Sequence, residues 1–316
     1  MPEPLALAVD LGGTELRAAA VAPGGRILTE AGTPTDAMAG PERVIDQIVA
    51  LLADARSRVP DLEILGLGIG APGPLDPIAG ISIAPPTLRG WHDVPLAAIL
   101  RDRLGLPVRL ENDANAAALG EWRYGAGRGL ASIVFVTVST GIGGGVVADG
   151  RILHGRRGLA AEIGHMTITE SGGRCFCGAV GCFEAVASGS ALGWSATKAT
   201  SPGDGSRLRA LSADGAVTAR HVADAAREGD RQALALLAEE ARWLGIGFTN
   251  LLHLYSPEAI VVGGGLSVAL DLMAADIART ITERAMPAYR DVPVVAAGLG
   301  RHAGLVGAAS LVLEAN

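Results

Sequence analysis

The amino-acid sequence predicts an α/β protein made of two domains of one design. Three observations lead there. Short apolar strands alternate with segments of helical period; one unit of strand, glycine loop, strand, turn and Arg-Ile-Leu occurs twice; and a third glycine loop follows a late strand. The 316 residues suffice for two substantial cores or one large one. With 49% hydrophobic and 19% charged residues the chain is not disordered, and 3% aromatics beside 44 glycines imply close backbones and tight turns.

The chain opens on a buried-strand run, Leu5-Ala6-Leu7-Ala8-Val9, that ends at Asp10-Leu11-Gly12-Gly13-Thr14. A second strand, Leu16 to Val21, leads through Pro23-Gly24-Gly25 to Arg26-Ile27-Leu28, a meander joined by glycine turns. Pro41 to Val59 reads as a helix: Pro41 suits a first helical position, and Val44, Ile45, Ile48, Leu51, Leu52 and Ala55 recur at helical spacing. Strands at Ile64 to Ile69 and Val108 to Leu110 flank a helix near Leu96 to Leu104. The pattern then restarts. Ile133 to Val136 runs into Ser139-Thr140-Gly141-Ile142-Gly143-Gly144-Gly145, then the strand Val146-Val147, a turn at Asp149-Gly150, and again Arg-Ile-Leu at 151–153. Glycine hairpins also resemble one another for local reasons, so the repeat alone decides neither way. Ser195 to Ala219, rich in small and polar residues, reads as a surface excursion. Arg231 to Asn250 is a long helix, and the strand Ala259 to Val262 precedes Gly263-Gly264-Gly265-Leu266-Ser267.

Charge and cysteine usage narrow the function. A net charge of −7 argues against a broad basic face, so no nucleic-acid partner is expected. No run of eighteen apolar residues is present, so no membrane helix is expected. Met1 to Asp10 lacks a basic start and a cleavage site, which argues against a signal peptide. All three cysteines fall between Cys175 and Cys182; this fits a reducing cytoplasm and one local site.

A strand that ends in glycines presents backbone N–H groups that can close on phosphate oxygens. Thr14 and Thr140 add a hydroxyl to the first two loops, and Asp10 could hold Mg²⁺ through water. Tight hairpins use the same residues, and neither loop has the P-loop or Rossmann pattern. Two such loops, heading two similar halves, favour a polyphosphate site.

Glu111-Asn112-Asp113-Ala114-Asn115 joins a strand to an alanine-rich stretch, which puts Asp113 near a helix start. Asp113 reads as an N-cap, or as a carboxylate that accepts a proton from an attacking alcohol; Asn112 could bond a neighbouring hydroxyl. His165 precedes Cys175-x-Cys177-x₄-Cys182 by ten residues, a complete tetrahedral set for structural Zn²⁺. Glu162 and Glu184 flank that set as ordinary surface acids or as rigid acceptors for sugar hydroxyls.

Together these segments resemble the ROK family (repressor, open reading frame, kinase) over nearly the whole chain. Asp10-Leu11-Gly12-Gly13-Thr14 is similar to its first phosphate motif and Ser139 to Gly145 to its second; Gly263-Gly264-Gly265 is similar to the loop that passes the nucleoside. Ala71-Pro72-Gly73-Pro74-Leu75-Asp76 resembles the sugar-side loop, Glu111 to Asn115 the catalytic segment. Glu162-Ile163-Gly164-His165 with Cys175 to Glu184 resembles the zinc signature.

The resemblance implies an actin-like ATPase (ribonuclease-H-like) fold, two α/β domains with the active site in the cleft between them. The expected smaller domain is 1–115 with 301–316, the larger 116–300. Asp113 would be the base, with Gly73, Asn112, Glu162, His165 and Glu184 around the sugar. Asp10, Gly12, Gly13, Thr14, Thr140, Gly141, Gly143, Gly264 and Gly265 would hold Mg·ATP; His165, Cys175, Cys177 and Cys182 would hold Zn²⁺. The activity implied is transfer of the γ-phosphoryl of ATP to the 6-hydroxyl of a hexose, glucose first, by a cytoplasmic homodimer or homotetramer. Many family glucokinases place Asn-Leu before the Gly-Trp of Thr87-Leu88-Arg89-Gly90-Trp91; here Thr87 stands nearest that Asn, which leaves N-acetylhexosamine kinase and fructokinase as alternatives. The family's sugar-responsive repressors carry a helix-turn-helix ahead of the first motif, whereas nine residues precede Asp10, which argues against that reading.

Overall fold

Apolar runs become strands, and alternate residues of each strand serve opposite faces of the sheet. The structure, a computed structural model, describes residues 3–200, 206–211 and 216–313. β1 (Leu5–Leu11), β2 (Glu15–Ala22) and β3 (Arg26–Pro34) form an antiparallel meander. Then α1 (Pro41–Ser57), with Pro41 as its first residue, leads to β4 (Ile64–Ala71), parallel to β1. A small ribbon of β5 (Leu75–Asp76) and β6 (Ile81–Ser82) and the helix α2 (Leu96–Leu104) precede β7 (Val108–Asn112), parallel to β4, and α3 (Asp113–Tyr124).

The second meander is β8 (Ile133–Val138), β9 (Ile142–Ala148) and β10 (Arg151–Ile152). Among the described residues the helices α4 (Phe183–Ala187), α5 (Gly189–Ala199), α6 (Arg207–Leu211), α7 (Ala219–Arg227) and α8 (Arg231–Tyr255) follow. β11 (Ala259–Gly263) runs parallel to β8; α9 (Leu270–Arg284), β12 (Val294–Ala296) and α10 (Ala303–Leu313) complete the order. The sheets read β3-β2-β1-β4-β7 and β10-β9-β8-β11-β12. Each is a meander extended by two parallel strands, so the repeat seen in the sequence is a repeat of topology.

In the first sheet, Leu5, Leu7, Val9 and Leu11 of β1 share a core with Val44, Ile48 and Leu52 of α1. Ala6 and Ala8 point the other way, into a cluster with Leu305, Ala308 and Ala309 of α10. The small residues there have a steric reason. A Cβ on Gly68 would stand 1.8 Å from the Ala308 carbonyl oxygen, and one on Gly307 would stand 1.6 Å from that of Ala116. Helix α10 thus lies directly on β4 and α3, with backbone against backbone.

That contact moves an expected boundary. One compact unit takes the described residues of 1–131, 145–161 and 298–316, the other 132–144 and 162–297. Helix α3, which the expected boundary cut after residue 115, belongs as a whole with α10. The expected surface excursion Ser195–Ala219 also differs, although its residues 201–205 and 212–215 lie outside the described ones, as do 1–2 and 314–316 of the smaller domain. Helix α5 runs to Ala199, capped by Ser188 and burying Leu192 and Ala196; Leu208 of α6 is buried too. A capping box of Thr218 and His221 starts α7.

Candidate active site

In the first unit, the carboxyl ends of three adjacent parallel strands gather the expected groups. Asp10 pairs with Gly70, Gly70 with Glu111, and Ala71 with Asn112 across β1, β4 and β7. Ligands of parallel sheets sit at such ends. Asp10 faces Arg17 across the hairpin, and the guanidinium donates to Asp10 Oδ2. Burial pushes the Asp10 carboxyl above its ordinary range while Arg17 pulls it back. Sequence reading passed over Arg17; the hairpin register, once assumed from Gly12-Gly13, would have found it. The charge pair leaves Oδ1 for other partners, so this acid suits water-mediated Mg²⁺.

Gly12 N–H donates to Glu15 O at 2.9 Å and closes the β1–β2 turn. Thr87 packs on Gly13: a Cβ on that glycine would come within 2.7 Å of the Thr87 Cβ. Gly13 and Thr14, with residues 35–39, line an open pocket of about 610 Å³.

At the β7–α3 junction the cap is Asn112, not Asp113. Asn112 Oδ1 accepts the N–H groups of Ala114 (2.9 Å) and Asn115 (3.1 Å). Asp113 is the first helical residue, and its Oδ1 also accepts from Ala114 N–H at 2.8 Å. The other end of the Asn112 side chain lies towards Gly73, whose Cβ would be 3.4 Å from Nδ2. Glu111, 2% exposed, sits beneath this turn with His154 as a partner.

In the second unit the glycine segment is shorter than expected as a loop. Ser139 N–H donates to Gly141 O at 2.9 Å, and strand pairing begins at Ile142, so Gly143, Gly144 and Gly145 lie inside β9. A Cβ on Gly144 would meet Ile163 at 2.2 Å, which explains a glycine in the strand. Thr140 and Gly141 stay at the turn. Gly264 and Gly265 follow β11, the parallel neighbour of β8, and both are exposed. At φ +82° and ψ −180°, Gly264 occupies backbone space closed to other residues.

Glu184, on α4, brings two expected sites together. Its Oε2 accepts Ile142 N–H at 3.0 Å, while Oε1 is 3.8 Å from Cys175 Sγ. His165 and Glu162 belong to one short turn, with His165 N–H donating to Glu162 O at 3.0 Å.

The donor atoms of His165, Cys175, Cys177 and Cys182 all lie within 4.8 Å of one another. Cys177 Sγ is 3.7 Å from Cys182 Sγ, and Cys175 Sγ is 3.6 Å from His165 Nδ1. Tetrahedral Zn²⁺ with bonds of about 2.3 Å to sulfur and about 2.0–2.1 Å to nitrogen needs S···S near ~3.8 Å and S···N near ~3.5 Å. The residues fit that ion. Burial pushes the Cys182 thiol up to about 12 and Cys175 upward, whereas the Ala179 N–H draws Cys177 down. The His165 ring stands edge-on to exposed Phe176, 5.0 Å between centroids.

Two duplicated sheets with glycine turns at their strand ends define an actin-like ATPase fold, and the ROK family profile matches residues 6–315; the chain belongs to the ROK family. It is 38% identical to a glucokinase of Thermotoga maritima over 99% of both chains. It also resembles, at TM-score 0.84 and 37% identity over 98% of this chain and 99% of the other, a ROK family glucokinase from Streptomyces griseus in complex with glucose and AMPPNP. An N-acetylmannosamine kinase of Escherichia coli is 34% identical over 96% of this chain and 97% of its own.

Proposed function

We propose that the protein is a hexose kinase, a glucokinase, that transfers the γ-phosphoryl of ATP to the sugar 6-hydroxyl. The observation that carries it is the Asn112-Asp113 turn beside Gly73, in a chain 38% identical end to end to a glucokinase.

Asp113 accepts the 6-hydroxyl proton as that oxygen bonds to the γ-phosphorus; the bond to the β,γ-bridging oxygen breaks and ADP leaves. Asn112 and Gly73 contact the sugar, and Glu162, His165 and Glu184 take its ring hydroxyls. The N–H groups of Gly13 and Thr14, on the turn that Gly12 closes, and of Thr140 and Gly141 with Gly143 behind them, hold the phosphates; Gly264 and Gly265 pass the nucleoside. Fixed dipoles of this kind stabilise charge spread over the transferred oxygens. Mg²⁺ neutralises that charge when bound, and Asp10 is the residue to hold it through water. Zn²⁺ on His165, Cys175, Cys177 and Cys182 supplies a rigid cross-link beneath Glu184.

Nucleic acid is no partner in this reading, given the net charge of −7. The enzyme acts in the cytoplasm, where its clustered thiols stay reduced, as a homodimer or homotetramer on family resemblance. Among the described residues no helix is long and apolar enough to cross a membrane.

A coupled assay over glucose, fructose, mannose and the N-acetylhexosamines, with ATP and with polyphosphate, tests the assignment. Glucose with ATP should have the highest kcat/KM. The second reading, N-acetylmannosamine kinase, is favoured by Thr87 in place of the glucokinase Asn and by the 34% relative; a preference for the N-acetyl sugar would establish it.

A further inference from the structure

A carboxylate shut away from water must be matched by donors, and a buried ion pair seldom improves stability over an apolar packing of the same size. Glu111 is such a group. Its Oε1 accepts the backbone N–H of Asn112 at 2.9 Å and the side-chain amide of Asn115 at 3.0 Å; its Oε2 lies 2.6 Å from His154 Nε2. A carboxylate oxygen accepts, so Nε2 carries the proton. Two of these three donors belong to the residues on either side of the Asp113-Ala114 pair. The helix start needs neither bond for capping, because Asn112 Oδ1 already takes the N–H groups of Ala114 and Asn115. Glu111 therefore sets the tilt of the peptide from which Asn112 and Asp113 project.

His154 fixes Glu111 in turn. It follows β10, 43 residues along the chain, and its backbone carbonyl accepts Ala160 N–H at 3.1 Å, so the main chain that carries the ring is held as well as Nε2. We propose that Glu111 and His154 are a positioning pair for the phosphoryl-transfer turn: His154 orients the Glu111 carboxylate, which orients Asn112 and Asp113. The inference rests on the reading of Asp113 as base. Neither residue touches the reacting atoms.

The test compares His154→Gln, which keeps a donor for Oε2, with His154→Leu, which fills similar space without one. Glucose and ATP are the substrates, and Asp113→Asn is the control. His154→Leu should lower kcat by about 10- to 100-fold, the scale of a displacement near ~1 Å, with KM for ATP unchanged. His154→Gln should recover most of the loss, and both should melt cooperatively. Equal kcat in the two variants, or loss of fold in both, would overturn the proposal, since the pair would then be idle or merely part of the core. An active Asp113→Asn enzyme would instead remove the base assignment itself, whatever the His154 variants do.

Discussion

Replacing Asp113 by Asn separates the chemistry of the β7–α3 turn from its stability, because the structure assigns the two to different side chains. The cap on α3 belongs to Asn112, which keeps both of its bonds in the variant. The 2.8 Å bond from Ala114 N–H to Asp113 Oδ1 can be accepted equally by an amide oxygen. The helix loses one negative charge in its first turn, worth about 0.3–1 kcal/mol against the helix dipole. At roughly 2–4 °C per kcal/mol for a domain of this size, the melting temperature should fall by only about 1–4 °C. Losing the proton acceptor should cost about 10²–10⁴ in kcat, or roughly 2.7–5.4 kcal/mol of barrier at 1.36 kcal/mol per decade. The chemical effect is several times the structural one, so inactivity could not be explained by unfolding. Coupled ADP release, sugar titration and thermal melts on the same preparation give all three quantities. Turnover within tenfold of wild type would refute the reasoning, as would a loss of rate that tracks a much larger drop in melting temperature.

Cys177→Ala should release the metal and abolish glucose binding while nucleotide binding persists, measured by elemental analysis and paired titrations; a metal-free protein with full activity would contradict it. Gly265→Ala adds a methyl 3.7 Å from Ser139 Oγ, an ordinary contact, so the fold should hold while KM for ATP rises. Gly307→Ala places its methyl on the Ala116 carbonyl and should destabilise by about 1–3 kcal/mol or more, seen as a lower melting temperature with the metal retained. The hydrogen bond to Glu111 raises the His154 pKa above the ordinary imidazole range, so the folded protein binds that proton more tightly than the unfolded chain. This stability is complete below about 6.5 and is lost as pH rises through the folded value, so the melting advantage over His154→Gln should shrink from pH 6 to pH 9.

Elements whose apolar residues recur in register were legible in the sequence. Helix α1 is marked by Pro41 and its Val44–Ile48–Leu52 stripe, and the end of β1 by Gly12-Gly13. The long helix was visible but cut short at Asn250; it continues to Tyr255 because Leu251 and Leu252 are still buried. Helices α5 to α7 escaped notice because their segment is rich in small and polar residues, and alanine and glycine outnumber larger apolar side chains on the buried faces of α5 and α7. Asn112 and Asp113 are both good caps, so composition could not choose between them. The Asp10–Arg17 pair needed the hairpin register, whereas Glu111–His154 joins residues 43 apart, a contact that spacing does not encode. The gathering of His165, Cys175, Cys177 and Cys182 was readable in advance because ten and seven residues of glycine-rich chain can hardly keep them apart.

The bare contact of α10 on β4 and α3 also bears on how the protein is made. Ala6, Ala8, Ala19 and Val21 of the first hairpin are covered by Leu305, Ala308 and Ala309, close to three hundred residues later. At synthesis rates of about 5–20 residues per second, that face waits roughly 15–60 s for its cover. A face of alanines is a poor seed for aggregation compared with one of valines and isoleucines, since each residue offers little apolar surface to a stray partner. The same small side chains that admit a helix at backbone distance therefore make the wait on the ribosome less hazardous, and enlarging them should lower soluble yield before it alters activity.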